Sequence, residues 1–214
     1  MHPRELPVEW IDVPGMPAAR IAVADLHAAA AVSVAEDVPT TWAEARRDEY
    51  RAGRVLAHIL LQALDADVPQ VARAKDRTPT WPADVAASIS HTTGRVFVGG
   101  ARKVNSACFG LDAEPRGAVT EDVHPVLFVD DEQAAIAEGM DPTTLFCCKE
   151  AVYKAVYPKF REYFDFSELA VTADARRFRA QPTENLRSAA DILKGEGHII
   201  DVKDHVLACF VVRG

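Results

Sequence analysis

Long apolar runs are missing from this 214-residue sequence. Nothing approaches the ~20 consecutive apolar residues of a membrane helix, so no membrane role is expected. The first ten residues, MHPRELPVEW, hold acids and prolines where a secretory signal would hold an apolar core. Cysteine is scarce: Cys108, Cys147, Cys148 and Cys209, with no C-x-x-C among them, all in apolar surroundings. That excludes a disulfide framework and argues against metal or redox work by thiols. Buried, reduced cysteines and a cytoplasmic protein are the expectation. Basic charge is also short, with 24 Lys and Arg against 32 Asp and Glu, a net charge of −8. Residues 1–107 carry 12 basic against 13 acidic side chains, and the remainder 12 against 19. No broad basic face follows, so nucleic acid is not an expected partner.

What is present suits a globular chain. The hydrophobic fraction is 49%, enough for a sizeable core. The length is long for one domain and short for two ordinary ones. The pattern predicts an extended arm, a strand over 21–24, and an alanine-rich stretch 27–34 that suits helix or strand equally. A long helix is expected from Thr40 or Thr41 to about Leu64, with Arg46, Arg47, Arg51 and Arg54 along it. Residues 65–70 read as a turn and 71–82 as a loop carrying Arg73, Lys75 and Arg77. Strands are expected over 86–89, 95–101 and 107–114, and an acidic loop over 120–129. A helix capped by Asp130 or Asp131 should run to about Gly139. Another should run from about 143 to 157, capped by Thr143 or Thr144 and closed by Pro158. Lys159, Phe160, Arg161, Tyr163 and Phe164 then form a basic and aromatic patch, suited to covering the core or to meeting a partner. Four apolar stretches, 169–172, 178–180, 198–202 and 206–212, suit strands of an antiparallel sheet. The polar stretch 181–197 has no clear type.

Two stretches carry chemistry. Gly110-Leu111-Asp112-Ala113-Glu114 ends a buried strand, and alternation puts both carboxylates on one face. Phe146-Cys147-Cys148-Lys149-Glu150-Ala151-Val152-Tyr153-Lys154 reads as helix, with Glu150 and Lys154 four apart on one face. Alone, Glu150 and Lys154 are an exposed surface ion pair. Beside Asp112 and Glu114, three carboxylates repel one another unless a cation lies between them, and oxygen-only ligands suit Mg²⁺, with Mn²⁺ as an alternative. Lys149 points about 100° away around the helix.

These motifs, in this order, resemble the 4′-phosphopantetheinyl transferases of the Sfp/EntD type, and among them actinobacterial members. A third stretch adds to the likeness: Pro79-Thr80-Trp81-Pro82 followed by Ser88-Ile89-Ser90-His91-Thr92. The resemblance covers about residues 46–158. It implies an α+β fold of two pseudo-symmetric α/β subdomains with antiparallel sheets, here 1–103 and 104–214. The first subdomain would take the coenzyme A phosphates and adenine, the second the metal and the catalytic helix. It implies an enzyme that moves 4′-phosphopantetheine from coenzyme A to a serine of an apo acyl or peptidyl carrier protein, leaving 3′,5′-ADP. The pathways implied are fatty-acid, polyketide and siderophore biosynthesis. Asp112, Glu114 and Glu150 would hold Mg²⁺, and Glu150 and Lys154 would be catalytic. Coenzyme A would contact Arg46, Arg54, Arg73, Lys75, Arg77, Ser90, His91, Lys149 and Lys154, with His91 at the 3′-phosphate. Lys149 would meet another part of the pantetheine phosphate or only solvent. A monomer is implied, since two related halves in one chain replace two subunits of smaller relatives. Two other classes remain open on the residues: a Mg²⁺-dependent phosphohydrolase, and a non-catalytic coenzyme A-binding or carrier-docking module.

Overall fold

A computed structural model describes residues 6–32, 38–67 and 70–214. The chain divides into two compact units, one ending at Asn105 and the other starting at Ser106. Both are mixed helix and antiparallel sheet, the α+β class expected.

In the first unit the strands are β1 (Glu9–Asp12), β2 (Arg20–Asp25), β3 (Val85–Thr92) and β4 (Arg95–Arg102), paired in the order β1-β2-β4-β3. The ambiguous alanine-rich stretch starts as a short helix, α1 (Leu26–Ala30), because the Asp25 side chain accepts a hydrogen bond from the Ala28 N–H at 2.8 Å. Residues 33–34 of that stretch, and 68–69 of the predicted turn, lie outside the described residues. The long helix α2 (Glu44–Ala63) starts later than expected. Thr40 and Thr41 stay in a turn ahead of it, and Ala43 at the N-cap offers no side-chain acceptor. Val55, Leu56, Leu60 and Leu61 of α2 pack with Ala22, Val85, Ala87 and Val98 of the sheet.

The second unit has β5 (Cys108–Pro115), β6 (Leu169–Ala173), β7 (Arg177–Pro182), β8 (Glu196–Val202) and β9 (His205–Val212), in the order β5-β9-β8-β7-β6. Its helices are α3 (His124–Leu127), α4 (Asp130–Ala137), α5 (Pro142–Phe160) and α6 (Ala189–Lys194). Two of these correct the sequence reading: α3 interrupts the expected acidic loop, and α6 lies in the untyped stretch. The cap of α4 is corrected too. The Val129 N–H donates to Glu132 Oε2 at 2.9 Å, so Glu132 reaches back where Asp130 or Asp131 was expected. All four cysteines are buried free thiols.

The motif helix α5 is capped by Asp141, whose carboxylate accepts from the Thr143 N–H at 3.2 Å and from the Thr144 hydroxyl at 2.8 Å. Pro142, at the first helical turn, needs no N–H there. Pro158 does not close α5: the helix continues to Phe160 and stops at Arg161 in the left-handed conformation, φ 49°. A proline so near the end forfeits only one hydrogen bond, while Val152 and Val156 of the same helix remain fully buried.

Gly110 sets how closely α5 lies on β5. A Cβ there would sit 2.1 Å from the Ala151 carbonyl oxygen and 2.4 Å from the Ala155 nitrogen. Both are backbone atoms of α5 and cannot rotate aside. Cys147, Ala151 and Ala155, small and four apart, form the facing side of the helix. Gly110→Ala is therefore expected to lower stability by about 1–3 kcal/mol or more. Thermal unfolding checks this; an unchanged midpoint would mean that the strand and helix do not meet this closely.

Candidate active site

The close approach at Gly110 has a consequence two residues along the strand. Asp112 shares that face of β5, is 3% exposed, and its Oδ1 accepts a 2.6 Å hydrogen bond from Lys154 Nζ. The ion pair made by Lys154 thus runs from α5 across to β5. The surface pair along the helix, Glu150 with Lys154, is not formed among the described contacts. Burial works against the Lys154 charge, but Asp112 and then Glu150 outweigh it and hold the ammonium group above its usual range. Burial pushes the Glu150 carboxyl up, Lys154 pulls it down, and Asp112 pushes it up again. Burial also drives the Cys147 thiol well up, reinforced by Asp112, Cys148 and Glu114. Asp112 is thus close enough to act on Glu150, and Asp112 and Glu114 both bear on Cys147.

The donor chemistry of Asp112, Glu114 and Glu150 fits a hard divalent cation, because all the ligands are carboxylate oxygens and the upward push of Asp112 on Glu150 is the repulsion such an ion relieves. Among the described residues, though, no three His, Cys, Asp or Glu groups are gathered as metal ligands, and Lys154 supplies the local positive charge.

Glu150, Lys149 and Asp165 line a pocket of about 270 Å³ together with Tyr153, Tyr163, Phe164, Phe166 and Leu169. The aromatic patch is divided in its roles. Phe164 is buried in the core, while Tyr163 is 82% exposed and stands edge-on to Tyr153 at 5.8 Å.

Lys149 is the clearest correction. It is buried instead of facing solvent, and it borders the pocket beside Glu150. Its side chain is 1% exposed, and its ammonium donates to Glu132 Oε2 at 2.7 Å and to the Leu127 and Phe166 carbonyls at 2.8 Å each. Burial lowers its pKa, and the hydrogen bond and charge of Glu132 oppose that shift. Sequence reasoning missed Glu132, whose other oxygen accepts from the Val171 N–H at 2.7 Å. The one available signal was its place at the third position of an acidic helix start.

The first unit gathers several of the residues assigned to coenzyme A. Arg46 Nη1 lies 2.9 Å from Glu49 Oε2 and 3.2 Å from His91 Nε2. Arginine has only donors, so the imidazole nitrogen accepts. Arg54, 7% exposed, lies over the Tyr50 ring at 4.3 Å. Arg73, Lys75 and Arg77 share an exposed loop closed by backbone bonds from Ala74 N to Thr78 O, 2.9 Å, and from Thr80 N to Ala72 O, 2.8 Å. The Asp76 carboxylate accepts from the Thr78 hydroxyl at 2.7 Å. Ser90 is not brought into this group. Strand alternation places it on the opposite face of β3 from His91, and it is 4% exposed. Trp42 and Tyr50 sit among these arginines and were not singled out from the sequence.

Comparison with known proteins agrees with this arrangement. Residues 35–98 match the 4′-phosphopantetheinyl transferase N-terminal domain, and residues 108–209 match the 4′-phosphopantetheinyl transferase superfamily. The chain belongs to the 4′-phosphopantetheinyl transferase family. Svp of Streptomyces mobaraensis, a 4′-phosphopantetheinyl transferase, is 32% identical over 160 residues, which is 71% of this chain and 63% of Svp. The 4′-phosphopantetheinyl transferase Npt of Nocardia iowensis is 29% identical over 134 residues, 60% of each chain. PptT of Mycobacterium tuberculosis, of the same description, is 29% identical over 134 residues, 59% of this chain and 58% of PptT. The matches thus span less than two thirds of each relative's length. Asp112, Glu114, Glu150 and Lys154 all fall inside the superfamily match, and Arg46, Arg54, Arg73, Lys75 and His91 inside the N-terminal one.

Proposed function

We propose that this chain transfers the 4′-phosphopantetheine group of coenzyme A to a serine hydroxyl of an apo acyl or peptidyl carrier protein and releases 3′,5′-ADP. The observation that carries this reading is the joint of β5 and α5, where buried Asp112 pairs with half-buried Lys154 and both act on Glu150, at positions matched by the family. The serine oxygen attacks the phosphorus bearing pantetheine, and the bond to the 3′,5′-ADP oxygen breaks. Glu150 accepts the serine proton. Its raised carboxyl is a stronger base than an ordinary carboxylate, which favours that task. Lys154, held charged, balances the negative charge that develops on the leaving phosphate. Asp112, Glu114 and Glu150 would hold Mg²⁺, which when bound neutralises pyrophosphate charge. The aromatic and aliphatic side of the pocket that Glu150 lines suits the pantetheine arm, whose methyl and methylene groups gain by leaving water.

We assign the coenzyme A phosphates to the first unit, to Arg46, Arg54, Arg73, Lys75, Arg77 and His91, through guanidinium forks and ammonium point charges. The reading includes a cytoplasmic, monomeric enzyme.

The test is the purified chain with Mg²⁺, coenzyme A and an apo carrier protein, followed by intact mass. The expected result is a gain of one phosphopantetheine on the carrier, stopped by chelation of the metal. Free phosphate with an unmodified carrier would mean hydrolysis instead, and coenzyme A binding without either product would mean a binding module.

A further inference from the structure

We propose that Trp42 is a positioning residue for the phosphate-bearing end of the nucleotide substrate: its indole holds the Arg46 and Arg73 guanidinium groups as a fixed pair. The inference rests on the reading of the chain as a coenzyme A-dependent protein, and adds a residue to it that no motif marks.

The two arginines come from different elements. Arg46 belongs to the first turns of α2, while Arg73 belongs to the exposed loop that precedes β3. Their guanidinium carbons lie 6.0 and 5.0 Å from the centroid of the Trp42 ring. Tryptophan is the best aromatic partner for a cation. A guanidinium attracted to a ring through its charge keeps its N–H donors in its own plane, available for phosphate oxygens. The ring thus aligns the two side chains without consuming their hydrogen-bonding capacity.

The indole is itself held. Its ring meets the Tyr50 ring edge-on, with centroids 5.6 Å apart and planes at 80°, and the Trp42 backbone N–H donates to the Pro39 carbonyl at 3.2 Å, which fixes the main chain that carries the ring. Tyr50 carries Arg54 at 4.3 Å, so the Trp42–Tyr50 pair supports three arginines. Arg46 is steered further by Glu49 and His91. Two long cationic side chains gathered at one ring lose conformational freedom and repel one another. A negative ring face offsets part of that cost before the polyanion arrives.

Four variants decide the matter: Trp42→Leu, Trp42→Phe, Arg73→Ala, and Trp42→Leu with Arg73→Ala. Coenzyme A binding is read by calorimetry, carrier modification by steady-state kinetics, and folding by thermal unfolding. Trp42→Leu should raise both Kd and KM for coenzyme A by about five- to tenfold, with kcat little changed. Trp42→Phe should recover most of the loss. In the Arg73→Ala background, Trp42→Leu should cost clearly less than it does alone. Wild-type affinity in Trp42→Leu would overturn the inference, as would a loss shared by kcat and KM that phenylalanine does not recover. A wild-type chain that binds coenzyme A and shows these Trp42 effects, but leaves carriers unmodified, would uphold the inference and remove only the transfer reading. A wild-type chain that binds no coenzyme A would overturn both.

Discussion

Glu132→Ala is expected to remove about 3–5 kcal/mol of stability, because it leaves Lys149 charged and buried without its partner. The two side chains are 2% and 1% exposed, and the pair is 2.7 Å long. Glu132 also closes two backbone donors, Val129 N–H at 2.9 Å and Val171 N–H at 2.7 Å. One side chain therefore ties the start of α4 to β6 and to the motif helix. A paired replacement, Glu132→Leu with Lys149→Met, should recover part of the loss, since apolar pairs of similar volume often replace a buried ion pair at little cost. Full recovery is not expected. The Val129 and Val171 N–H groups and the Leu127 and Phe166 carbonyls would still lack the partners they had. Denaturant unfolding of the two variants beside the wild type reads this directly. Native stability in Glu132→Ala would show that the pair does not brace the second unit.

That pair also marks where the sequence stopped being legible. The elements with strong periodicity, α2, α5 and the strands around Gly110–Glu114, could be read because their apolar spacing is set by burial on one face. Their ends could not, because caps depend on which side chain is free to turn back. Asp141 and Glu132 do this, while the nearer threonines and aspartates do not. The short helices α3 and α6 were hidden because four to six residues give too little period to count. At the site, the strand alternation of Asp112 and Glu114 and the helical spacing of Glu150 and Lys154 were visible. That Lys154 meets Asp112 depends on Gly110 admitting the α5 backbone, a tertiary fact. Lys149 was misjudged for the same reason. Helix geometry gives its direction, but only the fold supplies Glu132 and the two carbonyls waiting there. Ser90 and His91 are neighbours in sequence, and the pleat sends them to opposite faces.

Glu150→Gln is expected to lower carrier modification by roughly 10²–10⁴-fold, the contribution of a positioned general base, while the fold is kept. The substitution preserves size and one acceptor oxygen but removes charge and basicity. Its structural cost is small because the Glu150 carboxyl is pushed up by burial: the surroundings already disfavour the ionised form, and a neutral amide meets no such penalty. Excess Mg²⁺ should not restore the rate, since a lost proton acceptor is not replaced by a better-filled metal site. Lys154→Ala makes the contrast. It too should lower turnover, by removing the cation at the leaving phosphate. It also leaves Asp112, only 3% exposed, without the ammonium that meets it at 2.6 Å, so its melting temperature should fall while that of Glu150→Gln does not. The two variants therefore separate chemistry from support when melting temperature and modification rate are measured side by side. Near-native carrier modification by Glu150→Gln would take the proton-accepting role away from α5 and return the Asp112–Lys154 pair to a purely structural part in holding the helix on β5.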